Sequence, residues 1–177
     1  LGDVNNDGFD DIVTANSASN DVSVLESNGD GTFAAAQHFE VGDSPSPVVL
    51  GDVNGDGFAD IVTDVSVLTG NGDGTFNPKQ DFATGGTVSS VAIGDVNGDG
   101  LDDIVTVANT GQNISRSGVL SAVSVLIGDG DRTLGTAVQF RVGTGPFLVM
   151  LGDVTGDGIL DIVTANGEDI SVLQGKA

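Results

Sequence analysis

Acidic and amide side chains recur at every second position in four stretches of this chain: Asp3, Asn5 and Asp7; Asp52, Asn54 and Asp56; Asp95, Asn97 and Asp99; Asp153, Thr155 and Asp157. Each set runs on through a Gly and two further residues to another Asp (Asp11, Asp60, Asp103 or Asp161) and then to Ile-Val-Thr. Oxygens at positions 1, 3 and 5, with Gly at position 6 for a sharp turn, make a loop that can wrap a hard cation. Calcium takes about 6–8 oxygens at about 2.3–2.6 Å, and carboxylates supply charge as well as oxygen. The expected ligands of the first loop are Asp3, Asn5, Asp7, the carbonyl of Phe9, and Asp11. The same roles fall on Asp52, Asn54, Asp56, Phe58 and Asp60, and then on Asp95, Asn97, Asp99, Leu101 and Asp103. The fourth loop supplies Asp153, Thr155, Asp157, Ile159 and Asp161. Position 4 is Asn6, Gly55, Gly98 or Gly156, residue types that tolerate a left-handed backbone. The pattern predicts one Ca²⁺ per repeat.

Two rival patterns share part of this spacing. An EF-hand or dockerin loop opens alike but needs a bidentate acid at position 12 on a helix. Here position 12 is Thr14, Thr63, Thr106 or Thr164, after Ile and Val, which favour strands. Metal-free acidic turns are the plainer alternative, since Asn-Gly and Asp-Gly are ordinary hairpin turns. Turn chemistry does not ask for three spaced carboxylates in each of four places.

The elements around the loops repeat as well. In the first unit, Ile12-Val13-Thr14 is followed by a polar link, Ala15 to Asn20, and by a strand over Asp21–Leu25. Ser27 to Phe33 reads as a hairpin turn, Gln37 to Val41 as a strand, Gly42 to Pro47 as a turn, and Val48–Leu50 as the strand entering the second loop. Each unit thus holds about four short strands, as a propeller blade does. In the second unit Thr63 joins directly to Asp64-Val65-Ser66-Val67-Leu68, which means a tight turn or residues missing at that junction. Its turn is Asn71 to Phe76. The third unit has a long link, Val107 to Ala122, then Val123–Leu126 and a degenerate turn, Gly128 to Leu134. Phe82 and Phe140 take the place of Phe39. The fourth unit reaches Gly175, where its turn should begin, and the chain starts inside a repeat. It therefore reads as one propeller domain over 1–177, part of a larger ring.

Composition narrows the function. The chain has 177 residues, no Cys, Trp or Tyr, and a formal charge of -21 with only five Lys and Arg. Nucleic acid is a poor partner, because phosphate contacts need clustered cations. Without Cys there is no disulfide framework or thiol catalysis. No run is long enough to span a membrane as a helix. His38 is the single His, beside Phe39 on an expected strand, and reads as structural. Asn113-Ile114-Ser115 matches a glycosylation acceptor, which a single occurrence does not establish.

The metal loop, the Val-Ser-Val-Leu strand and the Asn-Gly-Asp-Gly-Thr-Phe turn resemble the FG-GAP/VCBS repeat, found in integrin alpha-subunit propellers and in many secreted bacterial proteins. The resemblance covers essentially the whole chain. Literal Phe-Gly and Gly-Ala-Pro segments are missing; Val-Gly-Asp-Ser-Pro at 41–45 and Val-Gly-Thr-Gly-Pro at 142–146 stand in their place. The resemblance implies an all-β propeller of four-stranded antiparallel blades, usually seven, with largely structural calcium between the first two strands of each.

The expected function is that of a non-catalytic, calcium-binding adhesion or scaffold module, secreted or at the cell surface, where extracellular calcium sites of about 10⁻⁴–10⁻³ M affinity are loaded. Its partners would be calcium and an extracellular protein or glycan. The alternatives are the propeller domain of a secreted polysaccharide-active enzyme, or a lectin. Binding residues tend to lie on variable loops carried by rigid scaffolds. The expected partner surface is accordingly Asn109 to Gly118 in the third link, with Asn109, Gln112, Asn113 and Arg116; a simple surface insertion is the alternative.

Overall fold

The apolar runs are short, β-branched and punctuated by Gly, Asn and Asp, which favours brief strands joined by tight turns. The computed structural model describes residues 1–64, 66–82, 87–109, 122–128 and 135–177, and among these it has strands and no helix. The chain divides into two compact units, Leu1–Phe82 and Ala83–Ala177, each holding two antiparallel sheets.

In the first unit, β1 (Ile12–Asn16), β2 (Asp21–Leu25) and β3 (Gln37–Glu40) form one sheet. β4 (Val48–Gly51), β5 (Asp60–Thr63), β6 (Ser66–Leu68) and β7 (Gln80–Asp81) form the other. In the second unit, β8 (Thr87–Gly94), β9 (Asp103–Asn109), β10 (Ala122–Leu126) and β11 (Val138–Arg141) make a four-stranded sheet. It is followed by β12 (Leu148–Gly152), β13 (Asp161–Ala165) and β14 (Ile170–Leu173). Every sheet is a meander, the arrangement of a propeller blade. The second and third sheets have the four strands expected, and the first and fourth have three.

The acidic loops occupy one fixed place in this plan. Each spans the hairpin between a blade's first two strands and is closed by a Gly–Asp pair: Gly51↔Asp60, Gly94↔Asp103 and Gly152↔Asp161. In the first sheet the isolated bridge Gly2↔Asp11 closes the loop in the same way. The register also confirms the repeat alignment, since Phe39 lies opposite Val22 and Phe140 opposite Val123.

Two elements run further than the residue types suggest. β1 continues to Asn16, and β9 continues to Asn109, so Val107 and Ala108 are buried strand residues rather than link. Asn109 therefore belongs to β9, opposite Thr87, while residues 110–118 of the expected partner surface lie outside the described residues. At the short Thr63/Asp64 junction the Thr63 hydroxyl donates to the Ser66 carbonyl and accepts its N–H, at 3.2 and 3.0 Å.

Each unit has its own core. In the first, Val4, Val22, Val24, Val41, Ile61 and Leu68 are buried together. The Phe76 ring meets Phe39 edge-on there, with centroids 4.9 Å apart. In the second, Val96, Val105, Val107, Val123, Val125, Val149 and Ile162 pack together. Full burial of such a side chain is worth about 1.5–3 kcal/mol. The central strands β5 and β9 bury successive residues on both faces, so Ile61-Val62 and Ile104-Val105 stand side by side where a half-exposed strand would alternate apolar with polar.

Candidate metal centre

All four loops curl in the same way. Positions 4 and 6 lie in the left-handed region throughout: Asn6 and Gly8 at φ 61 and 89°, Gly55 and Gly57 at 72 and 87°, Gly98 and Gly100 at 77 and 87°, Gly156 and Gly158 at 77 and 90°. Asn at position 4 of the first loop is thus accommodated without a change of backbone.

The side-chain oxygens are organised by backbone amides. At position 1, Asp3 accepts from Asp7 and Gly8 (3.2 and 2.8 Å), and Asp52 accepts from Asp56 and Gly57 (3.1 and 2.8 Å). Asp95 and Asp153 accept from Gly100 and Gly158, each at 2.9 Å, and from Gly98 and Gly156, each at 2.6 Å. At position 3, Asn5, Asn54 and Asn97 accept the N–H of position 5 at 3.0, 2.9 and 2.8 Å. At position 5, Asp7, Asp56, Asp99 and Asp157 accept the N–H of position 7 at 2.9–3.0 Å. Burial raises the Asp3 and Asp95 carboxyls, but these inward N–H groups outweigh it and hold both below the usual carboxylate range.

Position 9 differs. Asp11, Asp60, Asp103 and Asp161 are fully buried at the start of the second strand. One oxygen accepts the N–H of position 2 (Val4, Val53, Val96 or Val154) at 2.9–3.0 Å. The other accepts the N–H of the residue two beyond the third strand (Ser27, Gly70, Gly128 or Gly175) at 2.8–3.0 Å. Burial pushes Asp60 up to about 6 against the Gly70 and Val53 amides, with Asp56 and Asp52 adding like charge. Asp103 is raised for the same reasons, whereas at Asp161 the Gly175, Val154 and Thr155 contacts outweigh burial and lower it.

The position-7 residues, read from sequence only as carbonyl donors, have a second role. A Cβ on Gly29 would stand 2.7 Å from the Phe9 ring, and one on Gly72 would meet the Phe58 ring, so each ring packs directly against a turn glycine.

The donor set suits a hard cation: three carboxylates, an amide or hydroxyl, and a carbonyl in every loop, on a backbone already curled. Among the described residues no three His, Cys, Asp or Glu side chains converge as a closed cage, because their oxygens turn toward backbone amides instead. A carboxylate oxygen with one amide partner keeps a second lone pair, so amide bonding and cation ligation are compatible.

Away from the loops, Ser23 Oγ lies 3.2 Å and Asp21 Oδ1 3.6 Å from His38 Nδ1. Both meet the same ring nitrogen. A nucleophile–base relay needs Ser and Asp on opposite nitrogens, and Ser23 is buried. The second unit has a cavity of about 340 Å³ between Val125, Val138, Phe140, Asn97, Gln174 and Lys176. The matching residues of the first unit, Val24 and Phe39 among them, pack against Phe76.

Comparison with known proteins agrees with the blade plan. A family model for the FG-GAP-like repeat matches residues 3–63 and 63–106, and one for the FG-GAP repeat matches 87–126. No curated protein matches the chain. Among solved structures, an Agrocybe aegerita lectin, described as specifically recognising non-reducing terminal N-acetylglucosamine, is similar with a TM-score of 0.63 and 26% identity. The match covers 99% of this chain and 51% of the lectin, so the chain spans about half of that protein's length. With its loops, registers and matched residues in agreement, the chain belongs to the FG-GAP repeat family.

Proposed function

We propose that the chain is a calcium-stabilised, non-catalytic binding module that works outside the cell. The observation that carries this reading is the fourfold recurrence of one donor set on one curled backbone, with left-handed residues at positions 4 and 6 each time. Asp3, Asn5, Asp7, the Phe9 carbonyl and Asp11 would hold the first ion, with the corresponding residues for the others. When bound, Ca²⁺ neutralises carboxylates that otherwise repel one another across a chain of charge -21. The chain's own part is to present oxygens at a fixed spacing and to fasten each loop to its blade. Selection of Ca²⁺ over Mg²⁺ follows from the number of ligands, since Mg²⁺ gives up its waters reluctantly. Calorimetry should register Ca²⁺ binding, and excess chelator should lower the melting temperature strongly. An unchanged melting curve in chelator overturns the reading.

A second reading, glycan binding, is favoured by the likeness to the lectin. A glycan array probed with calcium-loaded protein should show retention of terminal N-acetylglucosamine, and an array with no retained glycan overturns this second reading.

A further inference from the structure

We infer that the last carboxylate of each loop, Asp11, Asp60, Asp103 or Asp161, is a cation-independent pin that fastens the acidic loop to the turn between the blade's third and fourth strands. The inference goes beyond the calcium reading and stands whether or not an ion binds. Four copies share one arrangement: a fully buried Asp, one oxygen on the loop's second amide, and the other on the amide that opens the turn. The third and fourth blades repeat it with Val96 and Gly128, and with Val154 and Gly175. The acids at positions 1 and 5 accept amides of their own loop and so shape its curl, and Asp157 also accepts from the Gln174 side chain at 3.4 Å. The position-9 acid joins segments far apart in sequence in every loop, with Ser27 lying 16 positions beyond Asp11 and Gly128 25 positions beyond Asp103.

Chemistry makes such a bond durable. A carboxylate accepting from backbone N–H is a charge-assisted pair, stronger than a neutral one. Its removal leaves two buried amides unpaired, and that cost exceeds the value of the bonds themselves. Neighbouring contacts tighten the same seam. A Cβ on Gly70 would collide with the Ala59 carbonyl, and one on Gly175 with the Leu160 carbonyl, so the turn's first residue sits directly against the loop. The pin is therefore a positioning residue: it places loop and turn relative to each other before any cation arrives.

Amide hydrogen exchange on the full chain in excess chelator tests this directly. In the wild type, the Val53 and Gly70 amides should exchange as slowly as those of β5. Asp60→Asn keeps the shape but presents an amide N–H₂ to one donor, and should speed exchange at Val53 and Gly70 at least about tenfold while β9 is unchanged. Asp11→Asn should do the same at Val4 and Ser27. Asp52→Asn should leave the Val53 and Gly70 amides protected in chelator and should lower the melting temperature more in the calcium-loaded protein than in chelator. Unchanged exchange at those amides in both pin variants overturns the inference. So does equal acceleration across both units, because a pin acts locally. If Asp52→Asn has no effect with calcium present, the calcium reading fails and the pin is untouched.

Discussion

The second and fourth loops carry nearly the same sequence in different surroundings. In the second, Val53 and Asn54 are buried and Asp52 and Asp56 half-buried. In the fourth, every residue from Asp153 to Gly158 is exposed, and Val154, the counterpart of Val53, is 59% accessible where Val53 is 2%. The two loops nonetheless share amide bonds at positions 1, 5 and 9, and the fourth adds the Gly156 N–H on Asp153 and the Thr155 N–H on Asp161. Local sequence therefore sets the loop's curl and its attachment, and neighbouring packing sets only how dry the site is. Asp60 and Asp161 illustrate the division: both are fully buried and share the position-2 and turn amides, yet Asp161 gains the Thr155 amide while Asp60 faces the like charge of Asp56 and Asp52, and their acidities shift in opposite directions.

The largest effect should come from what the two loops share. Ile61 and Ile162 follow the two pins and are 0% and 5% accessible. Truncating either to Ala should cost about 2–5 kcal/mol. Denaturant unfolding of Ile61→Ala and Ile162→Ala should give losses within that range in both cases. A loss at Ile162 well below that at Ile61 would break the comparison, showing that the exposed loop sits on a weaker blade.

A smaller effect separates the two pins by pH. In calcium-free protein Asp60 titrates near 6, above an unfolded value of about 3.9. A folded pKa above the unfolded one favours folding at low pH, so this contribution is present below about pH 4 and lost as pH rises through about 6. Asp161 is shifted down, so its contribution is present above the unfolded value and lost as pH falls through the folded one. Carboxyl carbon NMR of the chelated protein should find the Asp60 midpoint near 6 and the Asp161 midpoint below the usual carboxylate range. Coincident midpoints would sink the claim that packing separates the two sites.

Residue types foretold much of this. β2 and β5 begin and end where Asp-Val-Ser-Val-Leu and Asp-Ile-Val-Thr place them, and the loops fall between the expected strands. The reach of β9 to Asn109 was hidden, because Val-Ala-Asn carries no distinctive strand signal and its pairing with β8 decides the matter across a bulge at Val88/Ser90. The pin was hidden for a chemical reason. A carboxylate at position 9 looks the same in sequence whether its lone pairs meet a cation or two amides. The available hint was its place at the head of a strand buried on both faces, where an unpartnered charge would be costly. The packing of Phe9 on Gly29 was equally silent, since it joins residues from two turns.

The smallest expected effect concerns the one ligand position at which the loops differ. Asn54 accepts the Asp56 N–H through its side-chain oxygen at 2.9 Å, as Asn5 and Asn97 do in their loops. Thr155 instead turns to the pin: its N–H donates to Asp161 Oδ2 at 3.0 Å, next to the Val154 donor on the same oxygen, and its side chain bonds Asp161 as well. The fourth pin thus carries three backbone bonds where the second carries two, and its position 3 offers a shorter hydroxyl in place of an amide oxygen. A Thr hydroxyl reaches less far toward a bound cation than an Asn amide, so the fourth site should be the weakest or most hydrated of the set. Thr155→Asn should restore the amide oxygen and raise calcium affinity at one site by about two- to tenfold, which is about 1.4 kcal/mol at most. The gain is capped because Val154 and its neighbours stay exposed, so a screened site benefits less than a dry one. Calorimetry that resolves no gain at any site would show that exposure, and not the missing amide, sets the rank of the fourth loop.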